Sequence, residues 1–161
     1  MIAPRFEAGA RVTGSSLVVL LLTLALVACG CDVQTSGSNI TVTLSTFSGR
    51  PNPEWELEQA QATVLQDILE SLDPTDESFD SMGLPPYGGF RLEGEGIMGS
   101  ARYVEVYDGV VLLLDDDFER LSQLGDREYR MEAYLFETAA SQVNAEVYNG
   151  AFARFRRLTT E

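Results

Sequence analysis

Residues 102–114 constrain the fold more than any other part of the sequence. They read Arg-Tyr-Val-Glu-Val-Tyr-Asp-Gly-Val-Val-Leu-Leu-Leu, with β-branched and aromatic residues on both sides of Asp108-Gly109. An Asp-Gly pair suits the positive φ angles of a type I′ turn, so the pattern predicts a β-hairpin. Its second strand, 110–114, is apolar at every position, which is typical of a strand that is covered on both faces. The chain therefore requires a sheet with this strand in its interior.

The sequence before the hairpin predicts one strand and one amphipathic helix. Residues 40–47 alternate apolar and hydroxyl side chains, which is the period of a half-buried strand. From Leu57 to Leu72 the apolar residues recur at helical spacing, and Asp73-Pro74 stops that helix. Residues 73–99 are rich in proline and glycine, and we expect a loop that contains one short strand.

The sequence after the hairpin predicts two more helices. Residues 118–124 space Phe and Leu at helical intervals and predict a short helix that ends at Gly125. Asp126 is a candidate N-cap for a longer helix. The apolar stripe of that helix consists of Met131, Leu135, Ala139 and Val143. The tail, 145–161, fits either a helix or a final strand.

Together these elements predict an α+β domain. We expect an antiparallel sheet of about four strands, with two main amphipathic helices on one of its faces.

The composition removes several classes of function. The 161 residues include no His, two Cys, and 11 basic residues that are all Arg, against 25 acidic residues. Ser-His-Asp catalysis and His-ligated zinc are therefore excluded, and two cysteines do not make a four-cysteine zinc site. A net charge of -14 argues against nucleic acid as a partner, because phosphate contacts need a basic surface.

Residues 1–28 predict a cleaved export signal. Two arginines precede 17–28, a charge-free apolar run of 12 residues that is too short to span a bilayer. Leu26-Val27-Ala28-Cys29, followed by Gly30, resembles the lipobox of bacterial lipoproteins. The resemblance implies cleavage before Cys29 and its acylation by fatty acids such as palmitate. With Gly30 rather than Asp after the cysteine, it also implies the outer membrane in a cell that has one. The alternative is an ordinary cleaved signal with a chance cysteine.

The chain after the signal predicts a tethered domain. We expect residues 29–39 to form a flexible tether and residues 40–161 to form a single globular domain. A domain this acidic is repelled by anionic lipid, so the lipid on Cys29 must provide the membrane contact. Cys31 is then the remaining thiol, and it is either a bystander in the tether or a site of intermolecular pairing or second acylation. The sequence leaves the oligomeric state open.

The loop 48–55 is the most distinctive candidate for ligand binding. Two prolines make it rigid, and it carries Arg50, Asn52 and Trp55, a combination that suits a peptide, glycan or carboxylate. The alternative interpretation is that Trp55, the single Trp, packs into the core and that Arg50 pairs with a neighbouring acid.

A resemblance accompanies this loop. The run Phe47-Ser-Gly-Arg-Pro-Asn-Pro-Glu-Trp55 is followed by the amphipathic helix, a Gly-rich segment and the hairpin. This arrangement resembles a functionally uncharacterised set of small secreted proteins with an FSGRPNPxW-type motif. The resemblance implies a shared fold and no particular activity.

Two patterns of acidic residues suggest alternative functions. Asp115, Asp116, Asp117 and Glu119 are candidate calcium ligands, although N-capping and a solvated face select the same residues. Glu93 and Glu95, two apart on a possible strand, are the nearest approach to the carboxylate pair of a weak hydrolase.

The sequence as a whole favours a lipid-anchored, non-enzymatic binding or structural module on the outer side of a bacterial membrane. Its ligand would be a protein, peptide or glycan, and it would need no cofactor. The alternatives are a calcium-dependent binding protein and a weak carboxylate-based hydrolase.

Overall fold

The computed structural model describes residues 37–46, 49–79 and 86–160. The described chain is α+β, as predicted, and it contains seven strands and three helices. The strands are β1 (Gly37–Leu44), β2 (Glu54–Glu58), β3 (Asp73–Pro74), β4 (Phe90–Met98), β5 (Ala101–Tyr107), β6 (Val110–Leu114) and β7 (Arg120–Gly125). The helices are α1 (Gln59–Glu70), α2 (Arg130–Ala139) and α3 (Ala145–Leu158).

All seven strands belong to one antiparallel sheet with the order β2-β1-β4-β5-β6-β7-β3. The predicted hairpin is confirmed, because Asp108 (φ 52°) and Gly109 (φ 72°) both have positive φ between the paired strands β5 and β6. All five residues of β6 are buried, and β6 lies between β5 and β7. Its apolar character therefore reflects an interior position in the sheet.

The hydrophobic core lies between the sheet and the helices. Strand alternation turns Val42, Leu92 and Val104, each with no exposed surface, toward this side. An aromatic cluster fills the space beneath α2 and α3, and Phe136 lies at its centre with ring centroids 5.3 Å from Tyr87 and 5.0 Å from Phe155. Helix α3 thus joins the same core as the sheet.

The sheet has seven strands rather than about four, because β2, β3 and β7 have sequence patterns that point elsewhere. β2 is short and overlaps the predicted helix start at Leu57, although Trp55 and Leu57 alternate with three exposed glutamates. β4 extends through Gly94, where a Cβ atom would come within 2.7 Å of the Asn39 carbonyl oxygen. The close approach of the β1 backbone therefore explains why residue 94 is a glycine, although glycines in this segment suggested a loop.

The predicted short helix over residues 118–124 is wrong. Phe118 adopts a positive φ of 61°, which a helix does not allow, and the chain then pairs with β6 as β7. The hydrogen bonds that this segment makes with β6 stabilise a strand. The spacing of only three apolar residues does not stabilise a helix as strongly.

The first strand begins earlier than predicted. β1 starts at Gly37, so residues 37–39 of the expected tether 29–39 belong to the sheet, and buried Ser38 donates a hydrogen bond to the Leu57 carbonyl (2.8 Å). The export signal, Cys29 and the remainder of the tether lie outside the described residues.

The last two helices refine the predictions for residues 126–161. The tail forms α3, with Asn144 as its N-cap, because the Asn144 side chain accepts from the Glu146 N–H (2.9 Å). α2 begins at Arg130, and its N-cap residue is Tyr129 rather than Asp126. The buried Asp126 carboxylate still accepts a hydrogen bond from the Met131 N–H (2.6 Å), so it stabilises the first turn.

None of the helices in the described ranges combines the length and apolar character needed to cross a membrane.

Candidate functional site

The face of the sheet opposite the helices has a different character from the core side. We call it the polar face. Its members across β1, β4 and β5 are Thr41, Thr43, Arg91, Glu93, Tyr103 and Glu105, which lie side by side in the strand register. No described helix covers this face, so these side chains remain partly or largely exposed.

Ion pairs organise the charges of the polar face. Arg91 on β4 contacts Glu105 on β5, with 2.5 Å between Nη2 and Oε1. Arg102 lies within 3.4 Å of Glu93 and 3.5 Å of Glu95, so it faces both carboxylates of the hydrolase alternative. The two glutamates are therefore brought together around one arginine that pairs with both of them.

An exposed aromatic ring lies on the polar face. Phe118, in the connection between β6 and β7, stacks on Tyr103 with ring centroids 4.3 Å apart and ring planes at 16°. The guanidinium carbon of Arg91 is 5.8 Å from the centroid of the Phe118 ring. Phe118 nevertheless keeps 53% of its surface exposed, and no other described aromatic residue is as exposed.

The acidic run positions this ring. The Asp115 side chain accepts hydrogen bonds from the N–H groups of Asp117 (3.0 Å) and Glu119 (2.9 Å), one on each side of Phe118. The Phe118 N–H in turn donates to the Asp115 carbonyl (3.2 Å). These bonds hold a tight turn in which Phe118 has a positive φ.

The candidate calcium ligands do not converge in the structure. One Asp115 carboxylate oxygen is occupied by backbone N–H groups, and Asp116, with 89% of its side chain exposed, lies 3.9 Å from the Arg102 guanidinium. Within the described ranges, no three side chains of the metal-binding types are close enough to hold an ion.

The proline loop does not gather its three candidate residues. Trp55 is 7% exposed, and its indole N–H donates to the Thr138 hydroxyl (3.2 Å), so it packs as the alternative interpretation describes. The Asn52 amide oxygen accepts from the Thr46 N–H (3.1 Å), which closes the loop. Arg50 is exposed and borders a shallow groove of about 280 Å³ beside Gly150 of α3.

The connection that follows β3 borders the polar face. The side-chain amide of Gln123 on β7 donates to the carbonyls of Thr75 and Glu77. Phe79 further along lines a groove of about 500 Å³ together with Thr43, Glu54, Arg91 and Glu105, among others. The groove extends the accessible surface beside the ion pairs and presents mainly polar atoms.

A buried carboxylate lies on the other side of the sheet. Glu132 on α2 has no exposed surface and accepts hydrogen bonds from the Tyr87 hydroxyl (2.5 Å), the Gly109 N–H (2.9 Å) and the Asp108 N–H (3.2 Å). Burial raises the pKa of Glu132 from 4.5 to about 7, although these hydrogen bonds oppose the shift. Burial and the nearby Glu132 also raise the pKa of Tyr87.

Sequence reasoning missed Glu132, although the sequence contains a signal for it. Helical periodicity places residue 132 on the same stripe as Leu135, Phe136 and Ala139, which are all buried. A carboxylate in a core-facing stripe requires a buried hydrogen-bond partner, and here the partner is the turn of the predicted hairpin.

The polar face has the properties of a surface that contacts a ligand rather than those of a surface that packs in the core. Its paired charges present fixed donors and acceptors, and its stacked ring presents apolar surface between them. A ligand with both hydrogen-bonding groups and a flat apolar side would match this arrangement.

The chain matches no protein-family model, and it matches no curated protein and no solved structure.

Proposed function

We propose that this chain is a lipid-anchored binding module of the bacterial cell envelope, and that the polar face is its ligand surface. The observation that carries the proposal is the exposed Phe118 ring, held among ordered ion pairs on a sheet face that no described helix covers. The proposal assigns no catalytic step to the protein.

The anchor is supported by the sequence between residues 26 and 37. The lipobox-like Leu26-Val27-Ala28-Cys29 precedes the first strand by a short polar segment, and β1 begins at Gly37. Eight residues span at most about 25–30 Å when extended, so the domain would stay close to the bilayer surface. Gly30 after the lipidated cysteine favours the outer membrane in a cell that has one.

The assignment of the polar face as the ligand surface is supported by its small contribution to the stability of the fold. Exposed ion pairs such as Arg91–Glu105 contribute about 0–1 kcal/mol each. A positive φ at a bulky residue such as Phe118 costs about 1–2 kcal/mol. The stability of the fold gives little reason to maintain both features, whereas ligand contact does.

Metabolic labelling with an alkyne fatty acid tests the anchor. We expect the wild-type chain and Cys31→Ala to incorporate label and Cys29→Ala to lose it. Cys31→Ala is the matched control, because it removes the neighbouring thiol and leaves the motif intact. Label retained by Cys29→Ala would contradict the anchor.

Photo-crosslinking in intact cells tests the ligand surface. A benzophenone amino acid at Thr43, on the polar face, should give a defined adduct of higher mass. The same group at Val64, which is 44% exposed on α1, should give none. Equal adducts from both positions, or none from Thr43, would contradict the use of the polar face.

A further inference from the structure

We propose that the polar face binds a neutral glycan, with one pyranose ring packed against Phe118. This inference rests on the proposed function and names the ligand class of the same surface. The ring provides the apolar contact, and the surrounding ion pairs provide hydrogen bonds to hydroxyl groups.

The first argument is the form of the apolar surface. Phe118 is 53% exposed and is held nearly parallel to Tyr103, so it presents a fixed aromatic surface rather than a pocket for a side chain. The C–H groups on one side of a pyranose ring carry partial positive charge and pack favourably on an electron-rich aromatic face. A sugar ring therefore matches both the size and the polarity of this surface.

The second argument is the chemistry of the surrounding side chains. Arg91 and Arg102 donate hydrogen bonds, and Glu93, Glu95 and Glu105 accept them. Each hydroxyl group of a sugar both donates and accepts, so neighbouring hydroxyls are able to bridge an arginine and its paired carboxylate. The ion pairs place each donor beside its acceptor, so one hydroxyl group is able to reach both.

The third argument is the charge of the site. The two arginines contact four carboxylates, because Asp116 also lies 3.9 Å from Arg102. Both arginines are therefore already compensated, and an anionic polymer or lipid surface would be repelled. A cationic peptide would be attracted both to the carboxylates and to the ring face, so its binding would weaken with added salt, whereas binding of a neutral glycan would not.

The geometry of the turn at residues 115–119 supports a role for the Phe118 ring in ligand binding. At φ 61° a glycine or an asparagine would fit residue 118 with less strain than phenylalanine. The turn itself is held by the Asp115 carboxylate and by backbone bonds, so it does not depend on the ring. The aromatic side chain thus serves the surface and not the turn.

Retention on insoluble polysaccharide tests the inference. The full-length lipoprotein in detergent micelles would be mixed with cellulose, chitin or starch, which are neutral pyranose polymers. We expect the wild-type protein to be retained on at least one of them. Phe118→Ala should weaken the apparent Kd by about tenfold or more, which corresponds to about 1.4 kcal/mol.

Three further variants separate the ring from general apolarity and from misfolding. Phe118→Trp should retain binding, because it keeps a flat ring, whereas Phe118→Leu should lose it although it keeps apolar volume. Leu121→Ala is the matched control, since Leu121 is an exposed apolar residue (46%) but carries no aromatic ring, and it should bind as the wild type does.

Several results would overturn the inference. These are a lack of retention on all three polymers, equal affinity of wild type, Phe118→Ala and Phe118→Leu, and equal weakening by Leu121→Ala. A loss of more than about tenfold between about 50 and 500 mM NaCl would overturn a neutral ligand and indicate a charged one.

The same experiments distinguish failure of this inference from failure of the proposed function. Adducts from Thr43 to a protein, without retention on any polymer, would reject the glycan and leave the polar face as a binding surface. The absence of both adducts and retention would reject both proposals.

Discussion

The two faces of the sheet differ sharply although the same strands build them. Along β4, Phe90 and Leu92 are buried against the helices, whereas Arg91 and Glu93 extend over the polar face. A step of one residue along a strand reverses the direction of the side chain, so adjacent residues meet opposite environments. Helices cover one face, and on β1 and β4 the residues that turn toward the helices are buried, whereas those that turn toward the polar face stay partly or largely exposed.

The carboxylates show what this difference means for charge. Glu105 on the polar face meets Arg91 across the strand pair and keeps contact with water. Glu132 on the helix side meets no cation in the described chain, and hydrogen-bond donors from Tyr87 and the hairpin turn surround it. A charge on the covered side therefore depends on neutral donors and is costly to ionise, whereas a charge on the polar side is solvated or paired.

The largest expected effect tests the helix side. Trp55→Ala removes a buried indole that contacts Phe90 and Thr138, and it should lower the free energy of unfolding by about 3–5 kcal/mol. Arg50→Ala, in the same loop but exposed, should change it by less than about 1 kcal/mol. Urea unfolding measures both values, and similar losses for the two variants would contradict the difference in packing.

The next effect concerns pH. In the folded protein the pKa of Glu132 is about 7, above its ordinary value of 4.5, so the folded state holds this proton more tightly. The stabilisation is complete below about pH 4.5 and is lost as the pH rises to about 7, a change of about 3 kcal/mol. Chemical denaturation between pH 4.5 and 8 should show the decrease.

The control for this prediction is Glu132→Gln. Glutamine has the shape of the protonated acid and does not ionise, so the variant should lose most of the decrease in stability between pH 4.5 and 7. An unchanged pH dependence in Glu132→Gln would assign the effect to other carboxylates.

A smaller effect on the free energy of unfolding is expected when the glycines of two turns, Gly109 and Gly99, are replaced. Gly109→Ala adds a Cβ atom that would lie 3.0 Å from the Asp126 carbonyl oxygen at a position with φ +72°, and we expect a loss of about 2 kcal/mol. Gly99 has a similar φ of +60° but open space around it, so Gly99→Ala should cost about 1 kcal/mol. Equal melting temperatures for the two variants would show that the Gly109 turn is not tightly packed.

The smallest effect is expected on the polar face. Phe118→Gly loses the stack on Tyr103 but relieves the positive φ, so the free energy of unfolding should change by less than about 1 kcal/mol. A loss above about 2 kcal/mol would indicate that the ring serves stability and would weaken its assignment to a ligand.

The sequence predicted those elements whose signals are local and strong. The Asp108-Gly109 turn and the helical stripe of α1 depend on neighbouring residues, and both are present in the structure. β2 and β7 were missed because each is short and has an ambiguous pattern, and pairing with β1 or β6 determines its conformation.

The candidate site divides in the same way. Arg50, Asn52 and Trp55 are adjacent in sequence, but the fold separates them into an exposed side chain, a loop contact and a core residue. Phe118 and Tyr103 are 15 positions apart and meet only because strand register brings β5 beside the end of β6.

The sequence by itself determined the α+β class, the central hairpin, the acidic charge and the absence of histidine chemistry. These follow from composition and from periodicities within a few residues. Only the tertiary structure decided the number of strands, the burial of Glu132 and the gathering of Phe118, Tyr103 and Arg91 on one face. These depend on which distant segments pair and which face the helices cover, and such long-range choices leave little trace in local sequence.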